Sequence, residues 1–268
     1  MMSFSLQFVL VLIGTFVIAL VLTPLVRLFS FKIDAVDYPN ARRINTKPMP
    51  SAGGLSIVIA FSIATLVFIP MLTSTAAPIK SYLSYTLPVV GAGWIIALTG
   101  LIDDVKELSA KKKMIGILLA ASLVWFLTDF RLNDFKIPFG GPLLHFEPWL
   151  SYLLTVIWIV SITNAVNLID GLDGLVSGVS IISLVTMGIV SYFFLPVPNL
   201  FLTMTIFVLV ASIAGFFPFN YHPAILYLGD TGALFIGFMI SVLSLQGLKN
   251  STAVAVVTPM IILGVPIT

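Results

Sequence analysis

The fold class this chain predicts is an all-α, polytopic transmembrane helical bundle, and three observations carry that expectation. Hydrophobic residues make up 59% of the 268 positions and charged residues only 9%, where a soluble domain carries about 25% charged residues. Mean hydropathy is +1.13. Apolar runs recur along the whole chain at lengths near the roughly 20 residues that a helix needs to cross a bilayer. No stretch reads as a soluble domain or a long linker, so residues 1–268 are expected to form a single integral membrane domain.

Taken in order, the runs give about nine candidate spans, at 4–26, 53–72, 83–101, 114–127, 149–165, 175–195, 201–217, 228–248 and 253–265. The first has no basic residue ahead of it and no small-x-small site after it. It also exceeds the apolar core of about 7–15 residues in a secretory signal, so it reads as a retained helix. The fourth and ninth are short. Orientation follows from Lys and Arg, which favour the cytoplasmic side. With the N-terminus outside, the cytoplasmic loops hold nine of the 13 basic residues, among them Arg42, Arg43, Lys47, Lys106 and the run Lys111 to Lys113. Four fall in the outer loops: Lys80, Arg131, Lys136 and Lys249.

The same topology puts five of the chain's 11 acidic residues, Asp103, Asp104, Asp170, Asp173 and Asp230, at cytoplasmic borders of spans. A carboxylate near hydrocarbon costs several kcal/mol unless it faces a cavity, a cation or a partner. Their convergence on one face suggests a site for a metal ion and a phosphorylated ligand. With no cysteine and two histidines, a thiolate or histidine metal centre within this chain is excluded. Walker-type loops, Ser/His/Asp arrangements and nucleic-acid motifs are absent, so nucleic acid is not an expected partner.

Four polar segments carry the chemistry. The first, 37–55, contains Arg42, Arg43 and Lys47 ahead of Gly53-Gly54. It reads either as a positive-inside anchor or as a cationic lip whose glycine amides approach an anion. The second, 99–105, ends in Asp103-Asp104. Adjacent carboxylates repel, and either Mg²⁺ or the nearby lysines would relieve that. In the third, 164–176, Asn164, Asn167, Asp170 and Asp173 recur every three residues. That spacing stacks them on one face if the segment is helical, and four such residues exceed what a simple helix cap needs. In the fourth, 220–238, Asp230 lies between Gly229 and Gly232 at the start of a span. It reads as a helix cap or as a ligand of a Mg²⁺–phosphate site. His222 reads as a loop histidine.

The segments DYPNARRINTKPMPSAGG, LIDDVKELSAKKK, NAVNLIDGLDGL and HPAILYLGDTGALFIG together resemble the polyprenyl-phosphate N-acetylhexosamine-1-phosphate transferases. The resemblance covers nearly the whole chain, and the first loop is closer to the UDP-N-acetylglucosamine branch than to the phospho-N-acetylmuramoyl-pentapeptide branch. It implies transfer of N-acetylhexosamine-1-phosphate, GlcNAc-1-phosphate foremost, from a UDP-sugar to undecaprenyl phosphate. UMP is released, and a cell-envelope glycopolymer such as teichoic acid is begun. It implies a bacterial cytoplasmic membrane, an active site on the cytoplasmic face and dependence on Mg²⁺, with Mn²⁺ as a substitute. Homodimerisation is left open.

By that resemblance Asp230 binds the metal with Asp170 beside it, and Asp103 and Asp104 join Asp230 as catalytic residues on the lipid-phosphate side. Asn164, Asn167, Asp170 and Asp173 serve the nucleotide, Tyr227 stacks on uracil, and Arg43 and Lys47 contact phosphate. The family carries a further histidine-rich loop and more spans past the point where this sequence ends. The expectation is therefore a polypeptide with little transferase activity by itself. Two alternatives remain open: the pentapeptide-transferase branch and, in another class, a secondary transporter. Transporters place ionisable groups near the bilayer midplane and repeat their halves, whereas these carboxylates lie at one face without a repeat.

Overall fold

The computed structural model describes residues 4–39, 47–73, 79–136, 142–194 and 200–248. The helices run α1 (Phe4–Lys32), α2 (Gly54–Ile63), α3 (Ile69–Thr73), α4 (Ile79–Lys106), α5 (Ala110–Leu127), α6 (Pro148–Leu168), α7 (Leu175–Phe193), α8 (Leu200–Asn220) and α9 (Gly229–Leu248). A π-helical turn over Ala64–Phe68 joins α2 to α3 without a break. Two short antiparallel ladders complete the described residues: β1 (Val36–Asp37) with β2 (Met49–Pro50), and β3 (Asp134–Lys136) with β4 (Leu143–His145). The all-α class holds, and the ladders only tie off loops.

Seven helical stretches among the described residues are long and apolar enough to cross a membrane, which makes this a polytopic membrane protein. The fourth expected span corresponds to α5, whose first turn is taken up by Lys111, Lys112 and Lys113. The ninth, 253–265, lies outside the described residues. Several helices run past the expected borders, α4 to Lys106 and α6 to Leu168, because backbone hydrogen bonding continues into the polar ends.

Which helices face lipid follows from composition. The apolar stretch of α1 has a mean hydropathy of 2.8 and is 28% buried, whereas that of α9 has 1.3 and is 83% buried. Leu6, Val9, Ile13, Val17 and Val21 line an exposed face of α1 at helical spacing, as a lipid-facing stripe requires. α9 instead threads the bundle, packed by α4, α6 and α2, with Phe235, Ile236, Phe238, Met239 and Ile240 at 0–1% exposure.

Without a hydrophobic drive between helices in lipid, such packing relies on small residues that let backbones approach. A side chain at Gly100 of α4 would strike the backbone of Asp230 and Thr231, and one at Gly54 of α2 the backbone of Gly232. Both glycines therefore set the height of the α9 N-terminus against its neighbours. The C-terminal ends of α4 and α6 and the N-terminal ends of α2, α5, α7 and α9 meet at one end of the bundle, where β1–β2 lies. The acidic segments all sit at these ends.

Candidate active site

Asp104, near the end of α4, accepts from the backbone N–H of Asp230 (2.8 Å, Oδ1) and of Thr231 (3.1 Å, Oδ2). The Thr231 hydroxyl donates to Oδ2 at 2.5 Å. The first turn of a helix leaves N–H groups without intrahelical partners, and here a carboxylate from another helix supplies them. Asp230 is therefore not the cap of α9 but a side chain in its first turn, held by a cap from α4.

Gly229 makes this geometry accessible. Its φ is +70°, a region that side-chain-bearing residues rarely adopt, and a Cβ there would run into the Ser51 carbonyl and the Asp104 carboxylate.

Around Asp230 the polar groups converge. Asn167, in the last turn of α6, donates its amide to Asp230 Oδ1 at 2.6 Å. Lys113, in the first turn of α5, reaches Asp230 Oδ2 and also Asp103 Oδ2, the latter at 2.7 Å. The other Asp103 oxygen accepts from Leu108 N–H at 2.5 Å. Four helices thus contribute one side chain each, Asp103, Lys113, Asn167 and Asp230, to a single charge cluster.

Asp170 lies on the turn after α6. Burial, with the negative charge of Asp230 adding to it, pushes its carboxyl up to about 7. Asp173 accepts at Oδ2 from the His222 ring (Nδ1, 3.0 Å) and from Ala224 N–H (3.0 Å). That pins the α8–α9 loop to the α6–α7 turn.

Asp103, Asp104, Asp170, Asp173, Tyr227 and Asp230 all border one cavity of about 1150 Å³, and Lys47 joins its rim. Five aspartates on one face were expected, and all five meet there. Arg43 lies outside the described residues. Asn164 is not among the residues bordering the cavity; its amide donates to the Val160 carbonyl within α6 at 2.8 Å. The three-residue repeat from Asn164 to Asp173 does not stack on one helical face. α6 ends at Leu168, so Asp170 and Asp173 sit on a turn whose last residue, Gly174, has φ +72°.

The Gly53-Gly54 amides are not offered to an anion either. They donate to the carbonyls of Tyr227 (3.0 Å) and Leu228 (2.9 Å), splicing α2 to the segment before α9. Among the described residues no group of three His, Cys, Asp or Glu side chains could hold a metal ion.

Sequence reasoning missed Lys113 as a site residue, along with Thr231 and the rim residues Asp34, Tyr38 and Glu107. Lys113 had one available signal. A lysine in the first turn of a helix opposes the helix dipole, so three in a row there favour a nearby negative partner, which Lys113 finds while Lys111 and Lys112 stay exposed.

The fold and the site together define a class: a polytopic helical membrane protein that presents a carboxylate–lysine cluster to a cavity at one end of its bundle. Residues 86–248 match glycosyl transferase family 4, and the chain belongs to that family. It is 41% identical over 250 residues to the Bacillus subtilis protein named "Probable undecaprenyl-phosphate N-acetylglucosaminyl 1-phosphate transferase", covering 92% of this chain and 65% of that relative. It is 33% identical over 232 residues to the decaprenyl-phosphate N-acetylglucosaminephosphotransferase of Mycolicibacterium smegmatis, covering 82% of this chain and 55% of the relative. A phospho-N-acetylmuramoyl-pentapeptide-transferase of Staphylococcus saprophyticus is 33% identical over 251 residues, with 89% and 74% covered. The chain thus spans less than two thirds of the first two relatives.

Proposed function

We propose that the protein transfers GlcNAc-1-phosphate from UDP-GlcNAc to undecaprenyl phosphate at the cytoplasmic face of a bacterial membrane, releasing UMP. The observation that carries this reading is the convergence of Asp103, Lys113, Asn167 and Asp230 from four helices in one charge cluster, whose two carboxylates, Asp103 and Asp230, border the cavity. The name of the Bacillus subtilis relative supports GlcNAc and undecaprenyl phosphate over the pentapeptide branch, whose representative has the lower identity.

Both reactants are anionic, so the site must offset charge as well as align the reacting groups. A phosphomonoester has its second pKa near 6, so the lipid phosphate is largely dianionic at neutral pH and needs no strong base. One of its oxygens forms a bond to the sugar-bearing phosphorus. The bond from that phosphorus to the bridging oxygen breaks, and UMP leaves with the electron pair. In this reading Asp103 and Lys113 orient the lipid phosphate, while Asp104 acts through α9 by fixing Asp230. Asp170, Asp173 and Tyr227 line the nucleotide side, and Lys47 meets phosphate at the rim.

The donor set supports a divalent cation. Asp103 and Asp230 point carboxylate oxygens at one nitrogen, and Mg²⁺ takes one or two protein carboxylates plus phosphate oxygens and water. Asp230 and Asp103 would hold it with Asp170 near; when bound, the cation offsets charge on the pyrophosphate.

The test supplies UDP-GlcNAc labelled in the sugar to membranes containing the full-length gene product and undecaprenyl phosphate. Label should pass to the lipid fraction with stoichiometric UMP. Label transfer only from UDP-N-acetylmuramoyl-pentapeptide would overturn the GlcNAc assignment.

A further inference from the structure

The Lys113 ammonium sits where a cation ligated by Asp103 and Asp230 would sit. Its Nζ contacts Oδ2 of both carboxylates, and the side chains involved are only 12–24% exposed. Asp230 Oδ1 is occupied by Asn167 and Asp103 Oδ1 by the Leu108 N–H. The two Oδ2 atoms face one another across a single nitrogen, which takes both.

Two ionised carboxylates this close repel unless a positive charge lies between them or they share a proton. Lys113 carries that charge on a stem rooted in the first turn of α5, where the helix dipole disfavours it. The carboxylate pair is what compensates.

We propose that Lys113 is an internal counter-ion that holds the divalent-cation seat between Asp103 and Asp230 and is exchanged for the cation when it binds. This rests on the reading of Asp230 as a cation ligand. A divalent ion seated between the same two oxygens would lie against the ammonium and repel it, so in this proposal cation binding breaks both ion pairs. The displaced ammonium then needs a new anionic partner. In the absence of a phosphate ligand that requirement keeps intrinsic cation affinity low, which ties cation uptake to arrival of substrate. Lysine suits this role because its point charge swings on four carbons, whereas a guanidinium would lock both carboxylates in a planar fork.

The test measures binding of Mn²⁺ alone, by electron paramagnetic resonance, to the full-length protein in nanodiscs without nucleotide. Wild type, Lys113→Met, Asp230→Asn and the exposed control Lys112→Met are compared. Removing the competing ammonium should tighten Mn²⁺ binding by about tenfold or more, the scale of one hydrogen bond to a charged group, with Lys112→Met unchanged. A second readout covers weak folding of Lys113→Met: chelation of protein purified with Mn²⁺ should lower its melting temperature more than that of wild type. Unchanged or weaker Mn²⁺ binding by Lys113→Met, with Asp230→Asn abolishing it in wild type, overturns the exchange alone. Mn²⁺ binding that survives Asp230→Asn, or is undetectable in every variant, overturns the cation-ligand reading and the exchange with it.

Discussion

Asp104 of α4 holds Thr231 of α9 by two hydrogen bonds to one carboxylate oxygen, from the backbone N–H at 3.1 Å and from the hydroxyl at 2.5 Å. Its other oxygen takes the N–H of Asp230 at 2.8 Å. Of the adjacent pair Asp103-Asp104, one member faces Lys113 and the other serves as the cap of a helix remote in sequence.

Asp104→Ala should therefore destabilise the protein as the loss of a helix cap does, by about 1–2 kcal/mol, and should also displace Asp230. Thr231→Val removes only the hydroxyl bond and should cost less, about 1 kcal/mol. Thermal unfolding in nanodiscs ranks the two; equal melting temperatures for wild type and Asp104→Ala would remove the capping role.

The contact between α2 and α9 gives a steric prediction. A methyl at Gly54 meets the backbone of Gly232 and cannot be relieved by a side-chain rotation. Gly54→Ala should cost about 1–3 kcal/mol, as overpacking does, and should shift the α9 N-terminus with its acidic side chain. Gly91, whose Cβ would meet nothing within 4 Å, is the matched control, and Gly91→Ala should melt like wild type or slightly above it.

Asp170 predicts a pH dependence with a definite sign. Its carboxyl is raised from an ordinary 3.8 to about 7 by burial and then by Asp230, so the folded state retains a proton that the unfolded chain releases. Stability from this group is full below about pH 4 and declines as pH rises to about 7, beyond which the loss is complete. Asp170→Asn cannot ionise. With chelator present, the melting temperature of wild type minus that of Asp170→Asn should fall between pH 5 and 7. A flat difference would mean that Asp170 is not held protonated.

Much of this was legible in the sequence, for physical reasons that differ by element. Apolar runs report spans directly, so α6, α7, α8 and α9 fall within about three residues of expectation, while α1 runs six residues further, to Lys32. The five aspartates were conspicuous because a carboxylate beside hydrocarbon requires a partner. A lysine partner for Asp103 was legible ten residues on, in Lys113; the partner of Asp230 was not, since Lys113 and Asp230, 117 positions apart, meet only through the packing of α5, α4 and α9. The Gly53-Gly54 pair shows the converse. Its composition suited an anion-binding loop, yet the amides are used by the Tyr227 and Leu228 carbonyls, and only the tertiary fold brings those within reach. The stacking of the repeat from Asn164 to Asp173 depended on a continuous helix; α6 stops at Leu168, so Asp170 and Asp173 fall in the gap expected between the spans at 149–165 and 175–195.

Exchange of labelled UMP into UDP-GlcNAc tests the central claim most directly, because it requires the phosphoryl chemistry to run in both directions at the proposed site. It is measured on membranes containing the full-length gene product, with undecaprenyl phosphate, Mg²⁺ and a trace of product lipid. Wild type should exchange label, Asp230→Asn should lose at least about 100-fold, the scale of removing one electrostatic stabiliser, and omission of the lipid should abolish exchange. Exchange that persists at the wild-type rate in Asp230→Asn would contradict the account.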